Sequence, residues 1–423
     1  MREAFRTPLK FLMNNLAITD PRSPSRHPWK WCAFVLSDIL IAKLPIPRPK
    51  SGVVVILVNR LGDAIVGRSL VLALQSSVAK GQPFLVLGDR SWEVLKDNIY
   101  NDIATKYIDE RRFRTHITYR IKISLWLRFQ NYHTAICFMH HRLEMRDDAL
   151  VYVSAGQEKV VSELPFLNLR WYPWAFDFYL SKMTRIIPAL PPPLLTPQST
   201  PVDVYCEYKR KVPHAFERMR NFFNHIYPDA NLEVKPIVIL TESPLFADQI
   251  VILNPGAKHE ARMWPLSEWV SLAYQITNSG YTVCFTGGPA EAHLLGELQC
   301  LIEKGRASGT RKARILLSIN ELSFKSLIGL FNRAVCYIGP DTGTSHLAYW
   351  LGTPTITLLL HNDGTEEGDR FGDFFPYPDN LLPTPYRCVC ATKAKFHMRD
   401  GSAGIRMEVF AAFNELIEVG SNV

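Results

Sequence analysis

The sequence predicts an α/β protein with two parallel β-sheets, each covered by helices on both faces. The chain has 423 residues, which is enough for two domains of ordinary size. Hydrophobic residues make up 47% of it, as expected for a protein with a packed core. Short apolar runs of strand length alternate with segments of helical periodicity on both sides of a proline-rich segment. Such alternation is typical of parallel sheets.

Residues 1–50 are predicted to form a basic extension before the first domain. They contain nine lysines and arginines and three acidic residues, a net charge of +6 out of +8 for the chain. A basic, aromatic segment suits an anionic membrane surface or an anionic acceptor, and a solvated tail is the alternative. The nearly neutral remainder argues against a nucleic-acid groove. The apolar part, 31–46, is too short to span a bilayer, so we expect a helix that lies on a surface or packs on the first domain.

The first domain is predicted over 51–187. Six consecutive apolar residues, 53–58, predict a strand that is buried on both faces. A polar turn over 59–63 and a helix over 64–79 are expected to follow. Further predicted elements are strands over 83–87 and 134–139 and a helix over 91–98. The basic and aromatic segment 106–128 has no assignment.

A proline-rich segment marks the predicted domain boundary. Residues 186–201 contain six prolines, which resist both helix and sheet, so 188–201 is predicted to be a linker. A second domain is predicted over 202–402, and a C-terminal helix within 403–423 could pack back on the first domain.

The second domain repeats the alternation of strands and helices, and Ser323 is expected to cap one of its helices. The predicted strands are 249–253, 282–285, 315–317, 335–338 and 355–360. The predicted helices are 266–280, one from 291, 323–332, 341–351 and 405–417.

The eight cysteines are scattered, and several lie in apolar, strand-like runs. This pattern indicates buried, reduced thiols in a cytosolic protein. The closely spaced pair Cys388 and Cys390 could be part of a metal site. No second pair is nearby in the sequence, so a structural role is the default and no metal is predicted.

Three loops that carry polar residues follow predicted strands, where open parallel sheets bind ligands. In the first, Asp341, Thr342 and Gly343 precede a helix whose exposed N–H groups favour an anion such as a diphosphate. The alternative is that Asp341 only caps the helix. His346 could bind the ligand or be a polar packing residue.

The second loop has a glycine turn at Gly256, followed by the cations Lys258 and Arg262. These charges suit a diphosphate leaving group, although an ordinary exposed loop is the alternative. A further turn, Gly287-Gly288 with Glu291, could form a wall of a nucleotide pocket, with the carboxylate accepting hydrogen bonds from ribose hydroxyls.

The third loop, 59–63, lies in the first domain. Asp63 at a strand end could act as general base on an acceptor hydroxyl, and the alternative is an N-cap for the helix that follows.

These loops resemble glycosyltransferase family 9, the lipopolysaccharide heptosyltransferases, over about residues 53–420. The Asp-Thr-Gly-x-x-His block is the most specific part. The motifs that carry the resemblance are Leu61-Gly62-Asp63, Asn254-Pro255-Gly256-Ala257, Trp264-Pro265, Thr286-Gly287-Gly288-Pro289-Ala290-Glu291, Asp341-Thr342-Gly343-Thr344-Ser345-His346-Leu347-Ala348 and Leu351-Gly352-Thr353-Pro354. The resemblance implies a GT-B fold, in which two Rossmann-like domains face each other across a cleft.

The resemblance also implies an inverting, metal-independent transfer. Asp63 matches the family's proposed general base, and Arg262 falls where the family has a lysine that contacts the donor phosphates. Loops and resemblance together predict catalytic residues Asp63 and Arg262, acceptor-binding residues Asn59, Arg60 and Gly62, and donor-binding residues Asn254, Gly256, Lys258, Gly287, Gly288, Glu291, Asp341, Thr342, Gly343 and His346.

The expected reaction is transfer of heptose from ADP-heptose to a lipopolysaccharide core-type acceptor, with no cofactor. The expected location is the cytoplasm, on the inner face of the inner membrane. Four departures from the family pattern bear on this: arginine at 262, no serine pair before Gly62, an altered turn over 360–364, and the long extension. The alternatives are another nucleotide-sugar, a protein acceptor, or a catalytically silent nucleotide-sugar-binding scaffold.

Overall fold

The structure is a computed structural model. It describes residues 28–46, 50–78, 81–139, 142–163, 173–188, 214–230, 232–239, 249–257, 263–307, 314–319, 321–361, 377, 381–392 and 399–421. Contacts divide the chain into two compact units. The first comprises Met1–Arg60 and Leu70–Leu232, and the second comprises Leu61–Ser69 and Glu233–Val423.

The first unit contains a six-stranded sheet with the strand order β3-β2-β1-β4-β5-β6. All neighbouring strands are parallel, as predicted. The strands are β1 Lys50–Leu57, β2 Phe84–Asp89, β3 Thr105–Ile108, β4 Tyr132–Cys137, β5 Glu158–Ser162 and β6 Arg185–Ile187. The helices are α1 Pro28–Ala42, α2 Leu61–Ser77, α3 Glu110–Thr115, α4 Ile117–Gln130, α5 Ala149–Val153, α6 Pro173–Leu180 and α7 Ala215–Ile226, with a 3₁₀ turn at Arg90–Leu95 and a π-helical turn at Glu144–Asp148. The first part of α2, Leu61–Ser69, is grouped with the second unit.

Helix α2 begins three residues earlier than the expected position 64. Only Val58, Asn59 and Arg60 lie between the end of β1 and the start of α2. Asp63 is therefore in the first helical turn, where a carboxylate interacts favourably with the helix dipole, and it is not the N-cap.

The segment without an assignment, 106–128, forms β3, α3 and most of α4. Asp109 caps α3 by accepting a hydrogen bond of 2.8 Å from the Arg112 N–H. Arg120 of α4 is fully buried. A buried arginine hides the helical periodicity of the apolar residues around it, which explains why the pattern gave no assignment.

Arg120 belongs to a buried ionic cluster that joins three helices. Its guanidinium donates hydrogen bonds of 3.0 and 2.5 Å to Asp38 of α1, and the Tyr179 hydroxyl of α6 donates to the same carboxylate at 2.6 Å. Burial acts to lower the pKa of Arg120, but Asp38 outweighs it and the net pKa is raised, so the guanidinium stays charged. The cluster fixes α1 on α4 and α6.

Helix α7 lies within the predicted second domain, 202–402, but packs in the first unit. Its apolar face is buried, and the ring centroids of Phe222 and Phe138 are 6.3 Å apart. Most of the predicted linker 188–201 lies outside the described residues, as does the start of the predicted extension, 1–27.

The second unit contains another six-stranded sheet, with the order β12-β11-β10-β7-β8-β9. Its neighbouring strands are also parallel. The strands are β7 Ile250–Leu253, β8 Thr282–Gly287, β9 Ile315–Ile319, β10 Ala334–Pro340, β11 Thr355–His361 and β12 Tyr386–Thr392. The helices are α8 Leu266–Asn278, α9 Leu294–Ala307, α10 Phe324–Arg333, α11 Gly343–Trp350 and α12 Arg399–Ser421, with a 3₁₀ turn at Pro289–Glu291.

The C-terminal helix α12 packs into the core of the second unit. Its buried residues Val409 and Phe413 belong to the same core as Trp264 and Trp269. Arg406 forms an ion pair of 2.7 Å with Glu268 of α8.

Two helix starts in the second unit bear on the predicted site. Ser323 caps α10 by accepting from the Ser326 N–H at 3.1 Å, as predicted. Helix α11 begins at Gly343 with Thr342 as the N-cap residue, so Asp341 lies one position before the cap. No helix within the described part of the chain is long and apolar enough to cross a membrane.

Candidate functional site

The predicted donor loops follow three adjacent strands. In the second sheet β7 lies between β10 and β8, and all three are parallel, so their carboxyl ends share one edge. The chain proceeds from β7 to β8 on one side and reaches β10 on the other. This is the topological switch point at which open α/β sheets bind ligands.

A cluster of hydroxyl groups organises the loop after β10. Thr342 Oγ1 lies 2.7 Å from Thr344 Oγ1, and the Tyr337 hydroxyl donates to Thr344 Oγ1 at 3.1 Å. Ser345 Oγ donates to the Pro340 carbonyl. Burial raises the pKa of Tyr337, so the phenol stays protonated and can donate. These bonds hold the start of α11 in one conformation.

The start of α11 can hold an anion. The N–H groups of Gly343 and Thr344 lie in the first helical turn and therefore have no acceptor within the helix. Thr342 and Gly343 are partly exposed. First-turn N–H groups together with the helix dipole favour phosphate oxygens.

Asn254 connects the loop after β7 to the loop after β10. Its side-chain amide donates to Thr344 Oγ1 at 2.9 Å, and its carbonyl oxygen accepts from the Gly256 N–H at 3.1 Å. Asn254 is only 5% exposed. The side chain is thus engaged by the protein at both ends, and its contribution to the site is to position the two loops.

Glu291 brings the loop after β8 against the loop after β7. Its carboxylate accepts from the Gly288 N–H at 2.8 Å, and its Cγ occupies the space that a Cβ on Gly256 would need. Its Cβ lies 3.0 Å from where a Cβ on Gly287 would be. A side chain at Gly256 would therefore displace Glu291, whereas one at Gly287 would need its neighbours to shift by only a few tenths of an ångström. Lys258 and Arg262 lie outside the described residues.

His346 is buried beneath the loop after β10. Its Nδ1 lies 2.7 Å from the Tyr377 hydroxyl, which also accepts from Trp350 Nε1 at 3.2 Å. Its Nε2 lies 3.8 Å from the Asp341 carboxylate. Burial raises the pKa of Tyr377 well above its usual value, so the phenol is neutral. The sequence did not predict that Tyr377 contacts His346, because no motif surrounds Tyr377 and the two residues are far apart in the sequence.

The first turn of α2, which carries Asp63, adjoins this loop within the second unit. A Cβ added to Gly62 would lie 2.5 Å from His346 Cδ2 and 3.1 Å from its Nε2. A Cβ added to Gly343 would lie 2.9 Å from Leu61 Cδ2. The candidate base and the candidate anion site are thus built around two helix starts that touch each other.

The predicted acceptor residues differ in exposure. Arg60 is exposed, whereas Asn59 is buried and accepts a hydrogen bond of 2.8 Å from Arg146. Arg146 also donates to Asp147 at 2.6 Å and lies 3.5 Å from Glu110. Burial acts to lower the pKa of Arg146, but Asp147 outweighs it and the net pKa is raised. The π-helical turn that carries Arg146 has no sequence signature, so this arginine was not predicted.

The described residues contain no group of three or more histidine, cysteine, aspartate or glutamate side chains that could hold a metal ion. The Sγ atoms of Cys388 and Cys390 lie 3.3 Å apart on β12.

Comparison with known proteins links the second unit to one family. Residues 213–366 match the family described as glycosyltransferase family 9 (heptosyltransferase). Lipopolysaccharide heptosyltransferase 3 of Escherichia coli K12 is 28% identical over 116 residues, which are 27% of this chain and 32% of that protein. The match thus spans about a third of the length of this curated relative.

Solved structures resemble nearly the whole chain. A family 9 glycosyltransferase from Veillonella parvula aligns with a TM-score of 0.60 and 14% identity, covering 88% of this chain and 97% of that one. ADP-heptose heptosyltransferase II of E. coli aligns with a TM-score of 0.56 and 15% identity, covering 86% and 99%. The E. coli heptosyltransferase WaaC, solved with ADP, aligns with a TM-score of 0.57 and 17% identity, covering 85% and 99%.

The two parallel sheets and these structural relatives define an α/β protein of the GT-B class, as the sequence predicted. The family match over residues 213–366 and the curated relative support the resemblance to glycosyltransferase family 9 found in the sequence.

Proposed function

We propose that the chain is an inverting glycosyltransferase that moves heptose from ADP-heptose to a lipopolysaccharide core-type acceptor. The main support is the contact between the two helix starts, because Gly62 lies against His346 and Leu61 against Gly343. This arrangement brings the turn that carries a carboxylate next to a turn suited to a diphosphate. The family match over residues 213–366 supports the same reaction class.

In the proposed reaction the donor diphosphate lies at the first turn of α11. The N–H groups of Gly343 and Thr344 neutralise part of its charge, and Lys258 and Arg262 are proposed to supply cations to the departing diphosphate. Glu291, held by the Gly288 N–H, is proposed to face the nucleoside.

Asp63 is proposed to act as the general base. The acceptor hydroxyl attacks the anomeric carbon, the bond between that carbon and the diphosphate oxygen breaks, and ADP leaves. The hydroxyl proton passes to the Asp63 carboxylate, and the anomeric configuration inverts. Asn59 and Arg60 precede this turn and are proposed to contact the acceptor, with Arg146 holding Asn59 in place. No metal or cofactor takes part in this proposal.

A lipid-linked acceptor implies a cytoplasmic enzyme at the inner face of the inner membrane, which we propose as the working location. The basic residues within 1–50 support an anionic lipid surface as a partner.

The test is a transfer assay with ADP-heptose and a heptose-deficient core acceptor, combined with calorimetry of donor binding. We expect Asp63→Asn to lower kcat by roughly 100-fold or more while donor Kd stays near the wild-type value. Asp229→Asn, which changes an exposed aspartate elsewhere, is the matched control and is expected to remain fully active.

Full activity of Asp63→Asn would remove the base assignment. Turnover of a different nucleotide-sugar in a donor panel would replace heptose as the transferred group. Donor binding without turnover of any panel member would favour a silent scaffold.

A further inference from the structure

Helix α1 has an apolar outer face as well as an apolar inner face. The inner face, which includes Phe34 and Ile39, is buried. On the outer face, Trp29 is 68% exposed and Leu40 is 49% exposed. Positions 11 apart lie on the same side of a helix, because 11 residues make close to three whole turns. A helix that is apolar on every side is normally covered by other protein or by lipid.

Helix α4 contributes a second exposed apolar residue beside the end of α1. Arg128 of α4 donates a hydrogen bond of 3.1 Å to the Leu44 carbonyl, which lies just after α1. The next residue, Phe129, is 57% exposed. Lys122 lies seven residues earlier, on the same side of α4, and is also exposed. We refer to Trp29, Leu40, Lys43, Lys122 and Phe129 as the α1–α4 face.

This face is a fixed part of the first unit. The buried bonds between Arg120 of α4 and Asp38 of α1 hold the two helices together. The Arg120 guanidinium also lies 5.3 Å from the centre of the Phe34 ring. The outer residues of the two helices therefore keep their spacing.

The charge on these helices has one sign. Helix α4 contains no acidic residue, and the single acidic residue of α1, Asp38, is fully buried in its bond to Arg120. The exposed ionic groups of the face are the lysines Lys43 and Lys122. The surface thus combines large apolar side chains with positive charge only.

We propose that the α1–α4 face docks on an anionic phospholipid bilayer. Tryptophan and phenylalanine suit the boundary between lipid tails and head groups, and lysines beside them attract anionic head groups. Helix α1 has 15 residues, too few to span a bilayer, so it lies along the surface. A second copy fits less well, because a two-fold interface would bury the lysines of both copies with no exposed acidic residue on either helix to pair with them.

This inference deepens the membrane partner named in the proposed function, but its test needs no donor or acceptor. The full chain is floated with vesicles of phosphatidylcholine alone or of phosphatidylcholine and phosphatidylglycerol in equal parts. We expect binding to the anionic vesicles that weakens as salt rises, and little binding to the neutral ones.

Two pairs of variants separate the apolar and ionic contributions. Leu40→Gln with Phe129→Gln is expected to weaken partitioning at least tenfold, and its control is Val238→Gln with Met407→Gln, two exposed apolar residues of the second unit. Lys43→Gln with Lys122→Gln is expected to weaken partitioning onto anionic vesicles roughly fivefold per charge removed. Its control is Lys304→Gln with Lys325→Gln, which removes two exposed lysines of the second unit.

Circular dichroism melts check that each variant is folded. Equal losses in the test and control pairs, or equal binding to neutral and anionic vesicles, would overturn the proposal. A third result would also overturn the proposal: no binding to vesicles, together with self-association in light scattering that Leu40→Gln with Phe129→Gln abolishes. The α1–α4 face would then be an interface between copies of the chain.

Discussion

Gly62 shows how a single missing side chain shapes the site. A Cβ at this position would lie 2.5 Å from the His346 ring, which Tyr377 holds by a hydrogen bond of 2.7 Å. The ring therefore has little freedom to move aside. The sequence identified Gly62 as part of a motif, but the reason for a glycine there is the proximity of His346.

We expect Gly62→Ala to lower the free energy of unfolding by roughly 1–3 kcal/mol and to reduce transfer activity, because the added methyl displaces the histidine ring. Chemical denaturation and the transfer assay measure the two effects. The control is Gly296→Ala in α9, where nothing lies within 4 Å of the added carbon. That change is expected to raise stability by about 0.5–1 kcal/mol. Wild-type stability and activity in Gly62→Ala would contradict the close contact.

Lys159 is a half-buried cation, and we expect its titration to change the free energy of unfolding with pH. Burial, reinforced by Arg128, lowers its pKa from 10.5 to about 8. Its ammonium donates to the Tyr152 carbonyl at 2.7 Å. Below pH 8 the folded and unfolded chains both carry the proton, and the folded state bears the cost of a buried charge. Between about pH 8 and 10.5 the unfolded chain holds more protons, so stability rises with pH.

We expect Lys159→Met to remove a rise on the order of 2 kcal/mol in the free energy of unfolding between pH 8 and pH 10. Urea denaturation at a series of pH values measures it. The exposed Lys325→Met serves as the control and should keep the wild-type slope. If the free energy of unfolding changed with pH in the same way in wild type and in Lys159→Met, the lowered pKa of Lys159 would be refuted.

At the scale of elements, the strands and helices that alternate regularly were predictable from periodicity. The six apolar residues at the first strand and the Ser323 cap are examples. Strand β12 was missed because Tyr386, Cys388 and Cys390 share one of its faces and Arg387 lies on the other, so the apolar signal is weak. Helix starts were misplaced by two or three residues where a glycine or a polar residue occupies the first turn, as at Gly62 and Gly343.

Helix α12 illustrates an element whose existence was predicted but whose partner was not. Amphipathic spacing shows which side is buried, but it does not show against what. Phe413 is 1% exposed and its ring lies 5.3 Å from that of Tyr281, so the helix completes the second core.

We expect Phe413→Ala to lower the free energy of unfolding by about 3–5 kcal/mol, because it leaves a cavity in that core. Met407→Ala in the same helix, where the side chain is 67% exposed, is expected to change it by no more than about 0.5 kcal/mol. Denaturant titration compares the two variants. Similar values for both would mean that α12 does not belong to the core.

At the scale of the molecule, the order of motifs along the chain predicted the two sheets and the donor loops, because β-turn-α units have a clear pattern. The side chains that hold site residues in place lie at positions without a motif, and the sequence did not predict them. Tyr377 and Arg146 are examples, since the first follows a proline with no motif around it in the sequence and the second lies in a π-helical turn. Long-range partners of this kind depend on tertiary packing, which local spacing does not encode.

The link between Asp38 and Arg120 has a consequence for how the chain can be shortened. The family resemblance begins near residue 53, so a trimmed version starting there would appear to retain the whole enzyme. It would lack Asp38 and leave the Arg120 guanidinium uncompensated in the interior, at a cost of about 3–5 kcal/mol out of a total stability that is typically 5–15 kcal/mol. Such a trimmed protein is expected to be recovered mainly in inclusion bodies, because helix α1, Pro28–Ala42, is an integral part of the first unit.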